Sequence, residues 1–239
     1  MNERRITLKE TNAEKDLRVW MDNKLTFKDH ILVTAKRANM MLGIIRRTFK
    51  SLDARILPPL YKTLVRSILE YGNTAWCPQF QNEAWELEKV QKRATKMIPE
   101  LKDKCYSDRL RILNLPTLAF RQLRGDMINT YKYAKGMYNS DLLKFETEHR
   151  TSTRCHSYKL SKTRCKTAKY QNFYRNRITN AWNGLPTRVV DAETVNQFKN
   201  RIDAHWKHHP LRYNPRAGVK TMPDHRTGPY PDHNGEEKV

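Results

Sequence analysis

No acidic residue occurs between Glu148 and Asp191, although Arg150, Arg154, Lys159, Lys162, Arg164, Lys166, Lys169, Arg175, Arg177 and Arg188 all fall there. A solvated surface ordinarily mixes both signs, so this interval excludes the usual face of paired charges. The chain also lacks any apolar run approaching the roughly 20 residues that span a bilayer. Its N-terminus, MNERRITLKE, has no apolar core of a secretory signal. Together these absences predict no membrane partner and an intracellular place, in nucleus or cytoplasm. Cysteine is scarce as well. Cys77, Cys105, Cys155 and Cys165 are widely spaced and form no C-x-x-C pair, which argues against a disulfide framework or zinc ribbon and predicts free thiols. His149, Cys155, His156 and Cys165 are the one set able to surround zinc, but their spacing matches none of the usual patterns. No cofactor is expected in this chain.

What is present is positive charge. The 239 residues carry 46 Lys and Arg against 25 Asp and Glu, a net charge of +21. Such a field attracts nucleic acid, or another polyanion, and repels basic partners. The length suits one large domain or two small ones with a real core.

Hydrophobic periodicity predicts a mainly α fold: a thumb-like helical bundle, then a smaller helical domain with a basic extended segment, and a minor β-hairpin at the N-terminus. Leu17, Val19 and Met21 alternate before the turn pair Asp22-Asn23, which predicts a hairpin running to Phe27. From Asp29, Ile31, Ala35, Ala38, Leu42, Ile45 and Phe49 fall on one helical face, with Lys36, Arg37, Arg46, Arg47 and Lys50 outside it. Pro58-Pro59 suits the first turn of a second helix buried through Leu60, Leu64, Ile68 and Tyr71. After a Gly/Pro-marked connection comes a third helix, its antiparallel neighbour, where Leu87, Val90, Ala94 and Met97 oppose a cationic stripe of Lys89, Lys92, Arg93 and Lys96. Ser107 caps a short helix. Pro116 begins one marked by Phe120, Leu123, Met127, Tyr131 and Ala134 and ended by Gly136.

The acid-free interval begins without helical period, with one short strand expected near residues 157–160. Tyr170, Phe173, Ile178 and Ala181 then predict a helix, and Val195, Phe198, Ile202 and Trp206 a last one. The expected division is 1–28 for the hairpin, 29–146 for the helical and connecting domain, 147–208 for the basic C-terminal domain, and 209–239 for a disordered tail, too poor in apolar residues to offset ordering entropy.

The order and wording of several segments resemble the C-terminal region of reverse transcriptases encoded by non-LTR retrotransposons (LINE elements) of the jockey and chicken-repeat type. They are EKDLRVWMDNKLTFKDHI (14–31), ANMMLGIIRRTF (38–49), LYKTLVRSILEYGNTAW (60–76), LEKVQKRATKMI (87–98), RLRILNLPTLAFRQLRGDMINTYK (109–132), FYRNRITNAWNGLP (173–186) and VNQFKNRIDAHW (195–206). The resemblance implies a palm remnant at 14–27, a thumb-like region from Asp29 to about Ile98, and the element's C-terminal domain beyond. It also implies an RNA-directed DNA polymerase as the parent activity. Such polymerases hold two magnesium ions on palm aspartates, including an adjacent pair, and this sequence has no Asp-Asp pair. The fingers and most of the palm would lie upstream of Met1, so the chain alone is expected to be inactive. Arg18 and Cys155 stand where the family commonly has glycine, which reads as drift in a copy released from polymerase geometry.

The expectation is a truncated reverse transcriptase that retains sequence-nonspecific binding to RNA or an RNA/DNA duplex. Lys89, Lys92, Arg93, Lys96 and the basic run Arg150, Arg154, Lys159, Lys162, Arg164, Lys166, Lys169, Arg175 and Arg177 are the binding candidates, with Tyr158, Tyr170 and Tyr174 as base-stacking partners. The α-helical stripe is equally a solvated face, and Trp76, Trp182 and Trp206 are read as core. The alternatives are a helical module that docks an acidic protein on its basic surface, or a degenerate fragment without selected function.

Overall fold

The computed structural model describes residues 11–138, 156, 158–162 and 164–217. The fold is mainly helical with one small antiparallel hairpin, as the periodicity predicts. β1 (Ala13–Asp16) pairs with β2 (Val19–Asp22) so that Lys15 faces Trp20. Its turn is not at Asp22-Asn23 but at Leu17-Arg18, where φ is 42° and 70°. A two-residue hairpin turn takes positive φ because that twist matches the strands. Asp22 instead accepts hydrogen bonds from the amides of Lys24, Thr26 and Phe27, which folds the next loop and leads into α1. An Asx residue serves either purpose, and local propensity does not choose between them.

α1 (Lys28–Thr48) buries Ile31, Ala35, Ala38, Leu42 and Ile45 and leaves Lys36, Arg37, Arg46 and Arg47 in solvent. Phe49, assigned to the buried line, stands exposed at its extended C-cap. Asp53 starts the next segment by accepting from the amides of Arg55 and Ile56. α2 (Leu57–Leu60), a π-turn (Tyr61–Val65) and α3 (Arg66–Glu70) then follow without a break. The buried line here is Leu57, Tyr61, Val65 and Leu69, while Leu64 and Tyr71 are exposed. Residues spaced strictly by four drift around a helix of about 3.6 residues per turn, and the wider π-turn takes up the drift. That local widening left no mark in the apolar pattern, so the buried face was misplaced.

α4 (Gln81–Thr95) is capped by Glu83, whose carboxylate accepts from the amides of Gln79 and Phe80. It does not pair chiefly with the preceding helix. Both lean on α1, and they meet through a hydrogen bond from the Tyr61 hydroxyl to Gln91 Oε1, 2.9 Å. Gln79 reaches the Leu25 carbonyl and Arg93 reaches Asn39, so α4 runs alongside α1 in the same direction. α5 (Tyr106–Ile112) begins before Ser107, which lies inside its first turn rather than at the cap. α6 (Leu118–Ala134) is capped by Thr117, whose hydroxyl accepts from the Phe120 amide, and ends at Gly136 with φ 67°.

Two apolar cores meet along α6. The first gathers Val19, Ile31, Leu42, Tyr61, Trp76, Val90 and Leu110; the second gathers Phe120, Met127, Tyr131, Ile178, Trp182, Phe198 and Trp206. The two clusters part within the first turn of α6, which packs on α8 (Tyr174–Asn183) and α10 (Val195–His205). α7 (Ala168–Asn172) and α9 (Thr187–Val190) complete the described helices. The Tyr131 ring stacks on Phe198 at 4.4 Å and its hydroxyl donates to the Ala192 carbonyl. Of the short strand expected at 157–160, Leu160 is bridged on both sides by the Asn183 side-chain amide, and Ser157 lies outside the described residues. The expected tail is ordered at its start. Pro210–Arg212 form a 3-10 turn, Leu211 is buried, and Thr117 donates to its carbonyl at 2.6 Å. One apolar anchor suffices there, which average composition hides; residues 218–239 lie outside the description. No described helix is long and apolar enough to cross a membrane.

A buried polar knot sits where α4, α5 and α6 converge. Glu88 accepts from the Tyr106 hydroxyl at 2.6 Å, the Leu118 amide at 2.9 Å and Gln91 at 3.3 Å. Burial outweighs these bonds and raises its pKa to about 7. The folded chain therefore binds a proton that the unfolded chain releases near 4.5, and stability contributed by Glu88 is lost as pH rises through about 7. His30, His156 and His209, whose pKa values burial lowers, act in the opposite sense. Urea melts of the wild type and Glu88→Gln at the two ends of that window isolate the effect. The wild type should lose on the order of 3 kcal/mol relative to Glu88→Gln on going from the acid to the neutral end.

Candidate nucleic-acid interface

The sequence-selected cations fall into two groups on different cores. On α4, Lys89 and Lys96 are exposed, and Lys89 pairs with Glu86 at 2.7 Å. Lys92 is half-buried between the Trp85 and Tyr106 rings, 5.5 and 6.0 Å from their centroids. Arg93 donates to Asn39 on α1. Because α1 lies alongside, its exposed Lys36 falls one helical turn from Asn39, the partner of Arg93. Spacing along the sequence places Lys36 outside the binding candidates; the parallel packing of the two helices brings it beside α4.

The second group surrounds α7 and α8. Lys162, Arg164 and Lys166 are exposed, and no carboxylate among the described residues forms an ion pair with them. Lys159 is half-buried. Lys169 donates to the Asn23 carbonyl at 3.4 Å, which brings α7 beside the loop that follows the hairpin. Arg175 donates to Ser161 at 3.2 Å. Arg150 and Arg154 lie outside the described residues.

Arg177 differs from all of these. Its guanidinium grips Asp126 bidentately, at 2.9 and 3.0 Å, and donates also to the carbonyls of Asn73 and Thr74. Burial pulls its pKa down, but the Asp126 carboxylate outweighs that and holds it above the ordinary arginine value. Its side chain is committed to the seam between the cores by these bonds, and the acid-free sequence around it carries no sign of the aspartate on α6.

The aromatics are sorted similarly. Tyr174 is buried, its hydroxyl donating to the Asp126 carbonyl at 3.0 Å, and has no ring face to offer a base. Tyr158 is half-buried beneath Lys135. Tyr170 is 46% exposed and Phe173, placed on the buried line by its spacing, is 54% exposed. The break between α7 and α8 at Phe173 turns that ring outward and Tyr174 inward. Trp76, Trp182 and Trp206 are core residues. The exposed set in and before α7 is thus a run of cations, Lys162, Arg164, Lys166 and Lys169, followed by two open rings, Tyr170 and Phe173.

Of the zinc candidates, His149 and Cys155 lie outside the described residues, and among those described no group of three His, Cys, Asp or Glu could hold a metal ion. Cys77 and Cys105 carry free thiols. No family model, curated protein or solved structure matches the chain.

Removing one member of a buried bidentate pair strands the other charge. Arg177→Ala should lower unfolding stability by about 3 to 5 kcal/mol, whereas Lys166→Ala should change it by less than about 0.5 kcal/mol. Chemical denaturation of both variants decides this. Similar stabilities would remove Arg177 from its structural role.

Proposed function

We propose that the chain is the thumb and C-terminal portion of a non-LTR retrotransposon reverse transcriptase and binds RNA or RNA/DNA duplex without sequence preference. The observation that carries the reading is the exposed set Lys162, Arg164 and Lys166, unpaired with carboxylates among the described residues and followed in the sequence by the exposed rings of Tyr170 and Phe173. Lysine and arginine neutralise phosphates whatever the base, and release condensed counterions as they do so. Rings supply stacking that every base accepts. The α1 and α4 cations add a second, more self-paired surface. The reading assigns binding to this chain and no phosphoryl-transfer step, since the adjacent aspartates that hold metal in such polymerases have no counterpart in the sequence.

A second reading draws on α1, where Leu32, Val33, Met40 and Ile44 are exposed beside Lys36 and Arg37. An apolar stripe edged by cations suits an acidic amphipathic helix.

Fluorescence anisotropy with a labelled single-stranded RNA, over a salt series, tests the first reading. Affinity should fall steeply with salt. Replacing Lys162, Arg164, Lys166 and Lys169 by alanine together should reduce the magnitude of the log–log slope by about 3. Tyr170→Ala should weaken single-strand binding by about 1 to 3 kcal/mol while leaving the slope unchanged. Binding that ignores salt, or that survives the fourfold variant unaltered, contradicts the reading; competition by an acidic helix alone favours the second.

A further inference from the structure

The hairpin and α1 flank a half-open pocket of about 330 Å³ that neither cation group accounts for. Its walls follow from local structure. Strand register sets Lys15 opposite Trp20, and the two-residue turn presents Arg18. His30, Thr34 and Arg37 then line the other side at successive helical turns of α1. Three cations contribute to the lining and no carboxylate does. None of the three forms an ion pair among the described residues.

The uncharged part of the wall is pinned. His30 is buried, and its Nδ1 accepts from the Trp20 amide at 3.3 Å, which places the ring proton on Nε2, facing Thr34 Oγ1 at 3.5 Å. Burial, then the nearby Arg37 charge, lowers the His30 pKa, so the ring serves as a neutral polar wall. Its edge packs against Trp76, 4.7 Å between centroids, which ties the pocket to the first core. Lys15 Nζ sits 5.9 Å from the Trp20 ring centroid. Arg18 has φ 70°, a conformation that glycine adopts without strain and arginine does not.

We propose that this pocket binds the diphosphate group of a small molecule. Guanidinium forks match phosphate oxygens, and Arg18 and Arg37 supply two of them from opposite walls. A diphosphate carries enough negative charge to answer three cations, which a single monovalent anion does not. The volume lies near the lower end of ligand pockets, about 300 Å³, and suits a compact group. Lys15, Arg18 and Arg37 are all exposed, so an apolar ligand would find no use for the three charges at the rim. The residues involved lie outside both nucleic-acid candidate groups, so the inference stands apart from the RNA-binding reading.

Isothermal titration of the full chain with inorganic pyrophosphate, and in parallel with adenosine diphosphate, tests it. Arg18→Gly removes a guanidinium while relaxing the turn, Arg37→Ala acts on an exposed helical face, and Lys62→Ala is a charge-matched control away from the pocket. Pyrophosphate should bind one saturable site, weakened about tenfold by Arg18→Gly and by Arg37→Ala and unaltered by Lys62→Ala. Tighter adenosine diphosphate binding identifies a nucleotide as the source of the group, and equal binding identifies the diphosphate alone. Absence of saturable binding overturns the proposal. So does equal weakening in all three variants, or none in Arg18→Gly and Arg37→Ala.

Discussion

The bidentate contact between Arg177 and Asp126 is the constraint on which the two halves of the molecule depend. Asp126 sits on α6 and Arg177 on α8, and the guanidinium also caps the carbonyls of Asn73 and Thr74 from the connection after α3. One side chain therefore touches three elements drawn from both cores. Two buried charges cost several kcal/mol each to desolvate, and the pair is made tolerable by Nε and Nη2 donating to both carboxylate oxygens and to two backbone carbonyls. Around it lies a polar seam: Arg121 on Glu70, Gln122 on the carbonyls of Asn73 and Trp76, and Thr117 on Leu211. Apolar faces alone would let the two cores slide; this seam fixes their register.

That constraint divides the positive charge into two populations. Arg66, Arg121 and Arg177 are spent inside the fold on Glu70 and Asp126, and Arg124 pairs with Asp203 at the surface. The remainder stands at the surface, where Lys96, Lys162 and Lys166 are exposed together with Arg46, Arg47 and Arg164. Arginine suits the first task because its planar fork satisfies two carboxylate oxygens at once, and lysine suits the second as a hydrated point charge. Among the described residues the excess positive charge therefore resides mainly outside the core, as a long-range field rather than as structure.

Much of the architecture was legible because burial follows period. The stripes of α1, α6 and α10 were readable from Ile31 to Ile45, Phe120 to Tyr131 and Phe198 to Trp206, since each obeys ordinary helical spacing. The failures share a cause. At Tyr61–Val65 a π-turn, and at Phe173 a break between helices, shifts the buried line by one residue, from Leu64 to Val65 and from Phe173 to Tyr174. Periodicity presumes a regular helix and cannot register such a step. Within the binding candidates, a basic run in the sequence gave no means of telling Arg177, bound to a carboxylate on another helix, from Lys162 or Lys166. Only tertiary contact separates them. The Glu88 knot was invisible for the same reason, because its partners Tyr106 and the Leu118 amide come from other helices.

The central claim is that exposed cations around α7, and not the buried arginines, form the polyanion surface. Lysine acetylation footprinting by mass spectrometry, with and without single-stranded RNA, tests it most directly. The account predicts protection concentrated at Lys162, Lys166 and Lys169, weaker protection at Lys89 and Lys96, and none at Lys102 or Lys207, which are exposed elsewhere. Uniform protection of all exposed lysines, or protection confined to Lys102 and Lys207, would contradict it.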